Sequence, residues 1–534
     1  MEYSEYMLGQ RNKGIWIDIL LVALLIVQAF VVRLPIVQER KIMPAGDVFN
    51  FQYITSHLMS FDYPKTEKRL PTYPLLLIPG RLLHLDPIRT SIGVSLVASL
   101  GIIALIYTLG RQYKIPRTIM LFVTGIAVYD PLLTINAIRP LSDSTFVCWI
   151  LASLVLVTRL VQKPPSSRWD RILWWTGVSL VLMMFTRYEG FPIAAILVLS
   201  LFTALSWRQV LTVALLPAIA TLLWIPVFHY VHGSLTGLGY VADATSADGG
   251  FGEIKAIPEN FQKLMSGAGW ERIWATPSSE LTQEEPEKAF YRVMGSGSWW
   301  LAVCSFVGLI WLLITQRKVA VPLIAMASVY TILLSWWWVY SRYVAPLSTV
   351  FYIGATAGAY GLVSAIQRLH SAATWKGLVY GAFVVLFTLL AYQQVPHMYK
   401  LALSRSWEGN GKGYSLYQAI QYAGQQEKSV FVPADYPISL LMLGSYAQPK
   451  TSTNPGLGMY FINYKLDPVE AYIAMKGQKI SSFLIPYQDE RLEQLRQLRM
   501  SLEKNGNLGT KHHFQSFRWD TYEIEQTDVY DLIW

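Results

Sequence analysis

Eleven apolar segments recur along most of the chain, at about 15–37, 88–110, 116–137, 144–161, 171–186, 190–206, 209–231, 299–314, 320–340, 343–366 and 376–396. Each lies near the ~20 residues needed to cover about 30 Å of hydrocarbon. Inside a bilayer every backbone polar group must be satisfied within its own segment, so such a chain folds as a bundle of spanning helices. Composition agrees: 53% of the 534 residues are hydrophobic and 15% charged, against about 25% charged in soluble domains. Nineteen tryptophans and 31 tyrosines suit the aromatic belts at bilayer edges. The net charge of +9 does not point to nucleic acid, because the basic residues sit in short loops between apolar runs. Cys148 and Cys304 fall inside apolar runs and read as packed thiols.

Short loops rich in Lys and Arg face the cytoplasm. With Arg11 and Lys13 inside, alternation gathers Arg111, Lys114 and Arg117, then Arg159, Lys163, Arg168 and Arg171, then Arg208, Arg317, Lys318, Arg368 and Lys376 on that same side. Asp170 is the main acid among them. The loop at about 232–298 falls outside and is acid-rich, with Asp243, Asp248, Glu253 and Glu259 in its first half. The expected fold class is a polytopic α-helical membrane protein of about eleven spans with a C-terminal extracytoplasmic α/β domain. Its transmembrane module is residues 1–396, with outer loops at about 38–87 and 232–298, and its soluble domain is 397–534. The N-terminus is expected in the cytoplasm of a cell (plasma) membrane protein. The first segment reads as a retained anchor, and 73–86, broken by Pro79 and Gly80, as an interfacial piece.

In the soluble domain, SVFVPAD and ISSFLIP read as buried strands. YSLYQAIQYAGQ, DPVEAYIAMKG and DERLEQLRQLRMSLEK read as helices, and the alternation predicts a small α/β domain. There is no tandem repeat and no glycine-rich phosphate loop. No Asn-x-Ser/Thr acceptor occurs, which favours a prokaryotic membrane over a lumenal one.

The informative charges are those that topology does not explain. Arg139-Pro-Leu-Ser-Asp143, Arg187-Tyr188-Glu189 and Ser341-Arg342-Tyr343 each sit where a span meets the outer surface. The first outer loop adds Asp47 and Glu67-Lys68-Arg69. Interfacial anchoring or structural ion pairing is the plain reading of any one of them. Charges at membrane depth are costly and line cavities. Several arginines around a carboxylate suit a phosphate, held by charge-assisted, often bidentate hydrogen bonds. A carboxylate opposite could take a proton from an acceptor hydroxyl as the bond to phosphate breaks. On the outer face that phosphate belongs to a lipid.

Five local stretches then carry a resemblance: PAGDVFNFQYI after the first span, EKRLPTYPLLLIPG closing that loop, RPLSDSTF, TRYEGFPIAAILVL and SRYVAPLSTVF. With the tail segment VFVPADYPISLLMLGSYAQPKTSTNPG, the ordered set resembles the GT-C class of integral membrane glycosyltransferases. The protein O-mannosyltransferases and the lipid A aminoarabinose transferases are similar in plan. The resemblance implies Asp47 as catalytic base and Arg139, Arg187 and Arg342, helped by Lys68 or Arg69, as holders of the donor phosphate. Glu67, Asp143, Tyr188, Glu189 and Tyr343 would support them. It implies a polyprenyl-phosphate-linked sugar donor, a glycan, lipid or protein acceptor, and contact with membrane lipids. The only cofactor it admits is a divalent cation. Asp47 is followed by Val48, where the mannosyltransferases often carry Asp-Glu, so sugar and acceptor stay open.

Other residues read more plainly. His512 and His513 on a strand would point to opposite faces, with no carboxylate partner evident in sequence. His229 and His232 have helical spacing without a third ligand. Asp243, Asp248 and Glu253 do not match an EF-hand loop, and Trp336-Trp337-Trp338 reads as an interfacial belt. The rival function is a lipid or glycolipid transporter or flippase without glycosyl transfer, and a third is a non-catalytic lipid-binding scaffold. Transporters place charges near the midplane in inverted repeats, whereas here the charges cluster at one face.

Overall fold

The computed structural model describes residues 2–39, 46–64, 69–85, 87–138, 140–232, 299–336, 345–369, 418–419, 422, 426, 430–433, 459–462, 468–478, 480–486, 492–518 and 523–533. Helices α1 (Glu2–Glu39), α2 (Gly46–Met59), α3 (Thr72–Leu82) and α4 (Pro87–Gln112) come first. Next are α5 (Arg117–Val128), α6 (Pro131–Ile138), α7 (Asp143–Gln162), α8 (Arg171–Met184), α9 (Gly190–Ser200) and α10 (Trp207–His232). Then follow α11 (Trp299–Thr315), α12 (Arg317–Trp336) and α13 (Ala345–Leu369). Apart from α2 and α3, which lie between the first two apolar segments, they fall on the first ten of them; the eleventh, 376–396, and the loop 233–298 lie outside the described residues.

The chain is a membrane protein. Among the described residues five helices are long and apolar enough to cross a bilayer alone: Trp16–Pro35, Pro87–Gln112, Asp143–Gln162, Trp207–Tyr230 and Arg317–Ser335. A sixth is the broken pair α5–α6, whose halves meet at 61°. The segment 116–137 is therefore not a straight helix, because Asp130 and Pro131 interrupt it. Segments 171–186 and 190–206 form helices of only 14 and 11 residues. The expected eleven spans are not reached among the described residues.

Two compact units are formed, one of Met1–Gln38, Lys68–Tyr73 and Ile92–Ala402, the other of Glu39–Glu67, Pro74–Ser91 and Leu403–Trp534. In the first, α7 is the most enclosed of the spans, with Ile150, Leu151, Leu154 and Val157 buried. It packs on α6, α8, α9, α12 and α13, and Ser153 Oγ meets Ser179 Oγ of α8 at 2.6 Å. Helices α11 and α13 pack most extensively. A β-carbon on Gly308 would fall 1.8 Å from the carbonyl oxygen of Gly354, so only glycine lets these backbones touch.

In the second unit, α2 is tied to its neighbours by polar side chains. Gln52 Nε2 donates to Pro87 O at 2.8 Å and Ser91 Oγ at 2.7 Å, and Thr55 Oγ1 to Pro74 O at 3.2 Å. Strands β1 (Val430–Pro433), β2 (Met459–Ile462), β3 (Ser482–Pro486), β4 (Leu508–Arg518) and β5 (Glu523–Leu532) form one five-stranded sheet in the order β2-β1-β3-β5-β4. β1 runs parallel to β2 and β3, while β5 is antiparallel to β3 and β4. Helices α14 (Pro468–Gln478) and α15 (Leu492–Lys504) supply Ala471, Met475, Leu495, Leu498 and Leu502 to a core closed by Phe483, Ile485 and Tyr530. Leu495, Leu498 and Leu502 recur with the 3.6-residue period of one helix face. The two predicted strands and the last two predicted helices are where the sequence placed them. YSLYQAIQYAGQ falls mostly outside the described residues.

The histidine pair is a correction. His513 Nδ1 lies 2.6 Å from Asp528 Oδ1, and His512 Nε2 lies 3.5 Å from Asp531 and 2.9 Å from Tyr422 Oη. Both acids sit on β5, 15 or more residues further along the chain, so they are invisible to local inspection. Lys511 Nζ also reaches the fully buried Asp528, at 2.7 Å.

Candidate functional site at the N-terminal end of α7

The RYEG segment is the turn between α8 and α9. Its backbone closes through Gly190 N to Arg187 O at 2.9 Å and Phe191 N to Tyr188 O at 3.1 Å. A β-carbon on Gly190 would lie 2.5 Å from Met183 O, so the turn closes this tightly only with glycine. Tyr188 stacks at 6.2 Å on Phe228 of α10, part of an aromatic cluster with Phe185, Phe191 and Trp224.

Arg187 is clamped by two carboxylates. Its Nη1 donates to Asp143 Oδ1 at 2.6 Å, and its Nη2 to Glu189 Oε1 at 2.8 Å. Its Nε shares Glu189 at 3.3 Å, and its guanidinium lies 5.7 Å from the centre of the Phe146 ring. The three side chains are 17%, 5% and 13% exposed for Arg187, Asp143 and Glu189. Asp143 opens α7 and Glu189 precedes α9, so both carboxylates also gain from helix N-termini. Glu189 makes no side-chain cap; it serves Arg187 instead. Two carboxylates to one guanidinium leave these three residues with a net negative charge. All three guanidinium nitrogens of Arg187 are thus directed at the carboxylates of Asp143 and Glu189.

The end of the first outer loop is tied to the same place. Thr72 N donates to Phe185 O at 2.9 Å, two residues before Arg187 and three after Arg69. Tyr73 Oη meets Ser95 Oγ at 3.4 Å, and Ser95 Oγ donates to Leu141 O at 2.9 Å, two residues before Asp143. Arg69 is half-buried. Asp47 lies in the first turn of α2, in the other compact unit. Glu67, Lys68, Arg139, Arg342 and Tyr343 lie outside the described residues. Of the proposed set, the structure brings together Asp143, Arg187 and Glu189.

A second polar group was missed in the sequence. At the break between α5 and α6, Asp130 accepts from Leu133 N at 2.7 Å, capping α6, and from Tyr352 Oη of α13 at 2.6 Å. Arg33 of α1 is fully buried, and among the described residues its one hydrogen bond is Nη1 to Ala29 O at 3.3 Å. Among the described residues its Nε and Nη2 have no hydrogen-bond partner, and neither does either end of the buried Asn136 amide. Native structures leave few buried polar atoms unsatisfied, so such a group marks room for water or ligand. A single arginine inside a long apolar run and an aspartate before a proline were the available signals. Among the described residues no group of three or more His, Cys, Asp and Glu could hold a metal ion.

These helices and this small sheet have the fold of the GT-C integral membrane glycosyltransferases. ArnT from Cupriavidus metallidurans, crystallised with undecaprenyl phosphate, superposes with a TM-score of 0.55 at 12% identity, over 97% of this chain and 98% of that one. The Archaeoglobus fulgidus oligosaccharyltransferase in complex with zinc and sulfate matches with a TM-score of 0.50 at 10% identity, over 95% of this chain and 72% of that one. The sequence matches no protein-family model and no curated protein sequence.

Proposed function

We propose that this protein transfers a sugar from a polyprenyl-phosphate donor to an acceptor at the outer face of the membrane. The observation that carries the reading is the GT-C fold along nearly the whole chain, shared with an ArnT crystallised with undecaprenyl phosphate. Asp47 acts as general base. It takes the proton of an acceptor hydroxyl while that oxygen bonds to the anomeric carbon, and the bond from that carbon to the phosphate oxygen breaks. The polyprenyl phosphate leaves with the bonding pair, and its growing charge is held by cations.

Arg139, Arg342, Lys68 and Arg69 are the proposed holders of that phosphate. Arg33 joins them, because its buried guanidinium has donors that the described residues do not use. Arg187, held between Asp143 and Glu189, fixes the turn between α8 and α9 and with it the end of the first outer loop. The acceptor is a glycan, lipid or protein, and the orientation places the N-terminus in the cytoplasm.

The test is incubation of the purified chain with radiolabelled polyprenyl-phosphate sugars and membrane-derived acceptors. Transfer of label with release of polyprenyl phosphate is expected. Movement of intact donor across a vesicle membrane without cleavage would make the protein a transporter.

A further inference from the structure

Asp143 and Lys163 stand at opposite ends of α7, 20 residues apart, or about 30 Å at 1.5 Å per residue. That is the thickness of a hydrocarbon core. At the Lys163 end the first unit forms an open groove of about 1250 Å³. Its rim carries Arg111 in the last turn of α4, Lys114 after α4, Lys163 after α7, and Arg317 and Lys318 at the start of α12. Its wall is the apolar face of α1 formed by Ile19, Val22, Ala23 and Ile26.

The charge of this groove is lopsided. Among the described residues Asp18 is its only lining acid, and that carboxylate is already committed. Arg117 holds it through Nε at 2.7 Å and Nη2 at 3.1 Å, and Tyr107 Oη donates to it at 2.6 Å. Among the described residues, Lys114, Lys163, Arg317 and Lys318 have no ion-pair partner. All four are exposed. In the loop after α4, Arg111 Nη1 donates to Ile115 O at 2.7 Å, and Lys114 adopts a left-handed backbone with φ of 58°, a conformation costly for a residue with a β-carbon.

We infer that this groove binds a phosphate-bearing membrane lipid from the leaflet on the side of the α1 N-terminus. The unpaired cations meet the headgroup phosphate, and the acyl chains lie along α1. Two features favour a lipid over a soluble anion. The wall is apolar where it adjoins the cations, and it continues into outward-facing Leu20 and Leu24, which a bilayer covers. The cations also belong to three different connections, so their convergence on one groove goes beyond the loop-by-loop bias that sets topology.

The test uses the full chain in detergent and native mass spectrometry, with phosphatidylglycerol and phosphatidylcholine of matched acyl chains as probes. Wild type is expected to retain one phosphatidylglycerol, preferred over phosphatidylcholine by about tenfold or more, because basic side chains at a membrane surface each favour anionic lipid. The preference falls as salt rises. The triple variant Lys163→Ala/Arg317→Ala/Lys318→Ala should lose it. Ala23→Trp, which fills the apolar wall and leaves every cation in place, should lose bound lipid as well. Equal retention of the two lipids by wild type overturns the inference, as does an unchanged preference in the triple variant. So does retention of inorganic phosphate with no gain from acyl chains.

Discussion

Arg187 Nη1 donates to Asp143 Oδ1 at 2.6 Å, joining the turn after α8 to the first residue of α7 across 44 residues of sequence. Removing the guanidinium strands two poorly exposed carboxylates, Asp143 and Glu189, that it now bonds. Arg187→Ala should therefore lower stability by about 3 kcal/mol, the scale for breaking one partner out of a buried pair. Arg187→Lys should recover only part, because a point charge cannot address both carboxylates as the planar fork does. Thermal unfolding in detergent measures this. An unchanged midpoint for the alanine variant would mean the clamp contributes nothing to the fold.

Tyr352 and Asp130 make the second expectation. Tyr352→Phe leaves one oxygen of a buried carboxylate without its donor, at a cost of about 1–3 kcal/mol. Asp130→Ala also removes the cap on Leu133 N and should cost more. Equal unfolding midpoints for wild type and Tyr352→Phe would contradict the role given to this hydrogen bond.

Arg33 separates binding from stability. Replacing an underbonded buried charge with an apolar side chain of similar length is often neutral or stabilising, so Arg33→Met should unfold at or above the wild-type temperature. If its unused donors hold the lipid phosphate, donor affinity should fall by about tenfold or more, as expected for charged hydrogen bonds. Unaltered donor affinity in this variant would take Arg33 out of the site.

Orientation has its own experiment. Single cysteines introduced at positions 250 and 450 should react with an impermeant thiol reagent added to intact cells, and one at 165 should not. Labelling at 165 alone would invert the topology and move the proposed chemistry to the other face.

The apolar spans that the structure shows were legible because hydropathy is a sum over about twenty residues. Strands SVFVPAD and ISSFLIP were legible as short β-branched and aromatic runs ending at proline. The same averaging hid the break at Asp130, since one charge scarcely alters a window that otherwise reads as a single span. Arg33 was hidden for that reason too. The clamp on Arg187 was half visible: Glu189 is two residues away, but Asp143 comes from another helix, and only the packing of α7 on α8 and α9 makes them partners. His513 with Asp528 is likewise a cross-strand relation fixed by the register of β4 on β5.

The most direct measurement is turnover of a radiolabelled polyprenyl-phosphate sugar by Asp47→Asn. Asp47 is the second residue of α2, where an amide forfeits only the charge–dipole gain of about 0.3–1 kcal/mol, so a structural role predicts near wild-type turnover. As general base Asp47 cannot be replaced by an amide, and the account predicts a loss of about 10²–10⁴-fold in transfer rate, with donor affinity and unfolding temperature near wild type. Wild-type turnover by Asp47→Asn would contradict the mechanism and pass the base to Glu67 or Asp143.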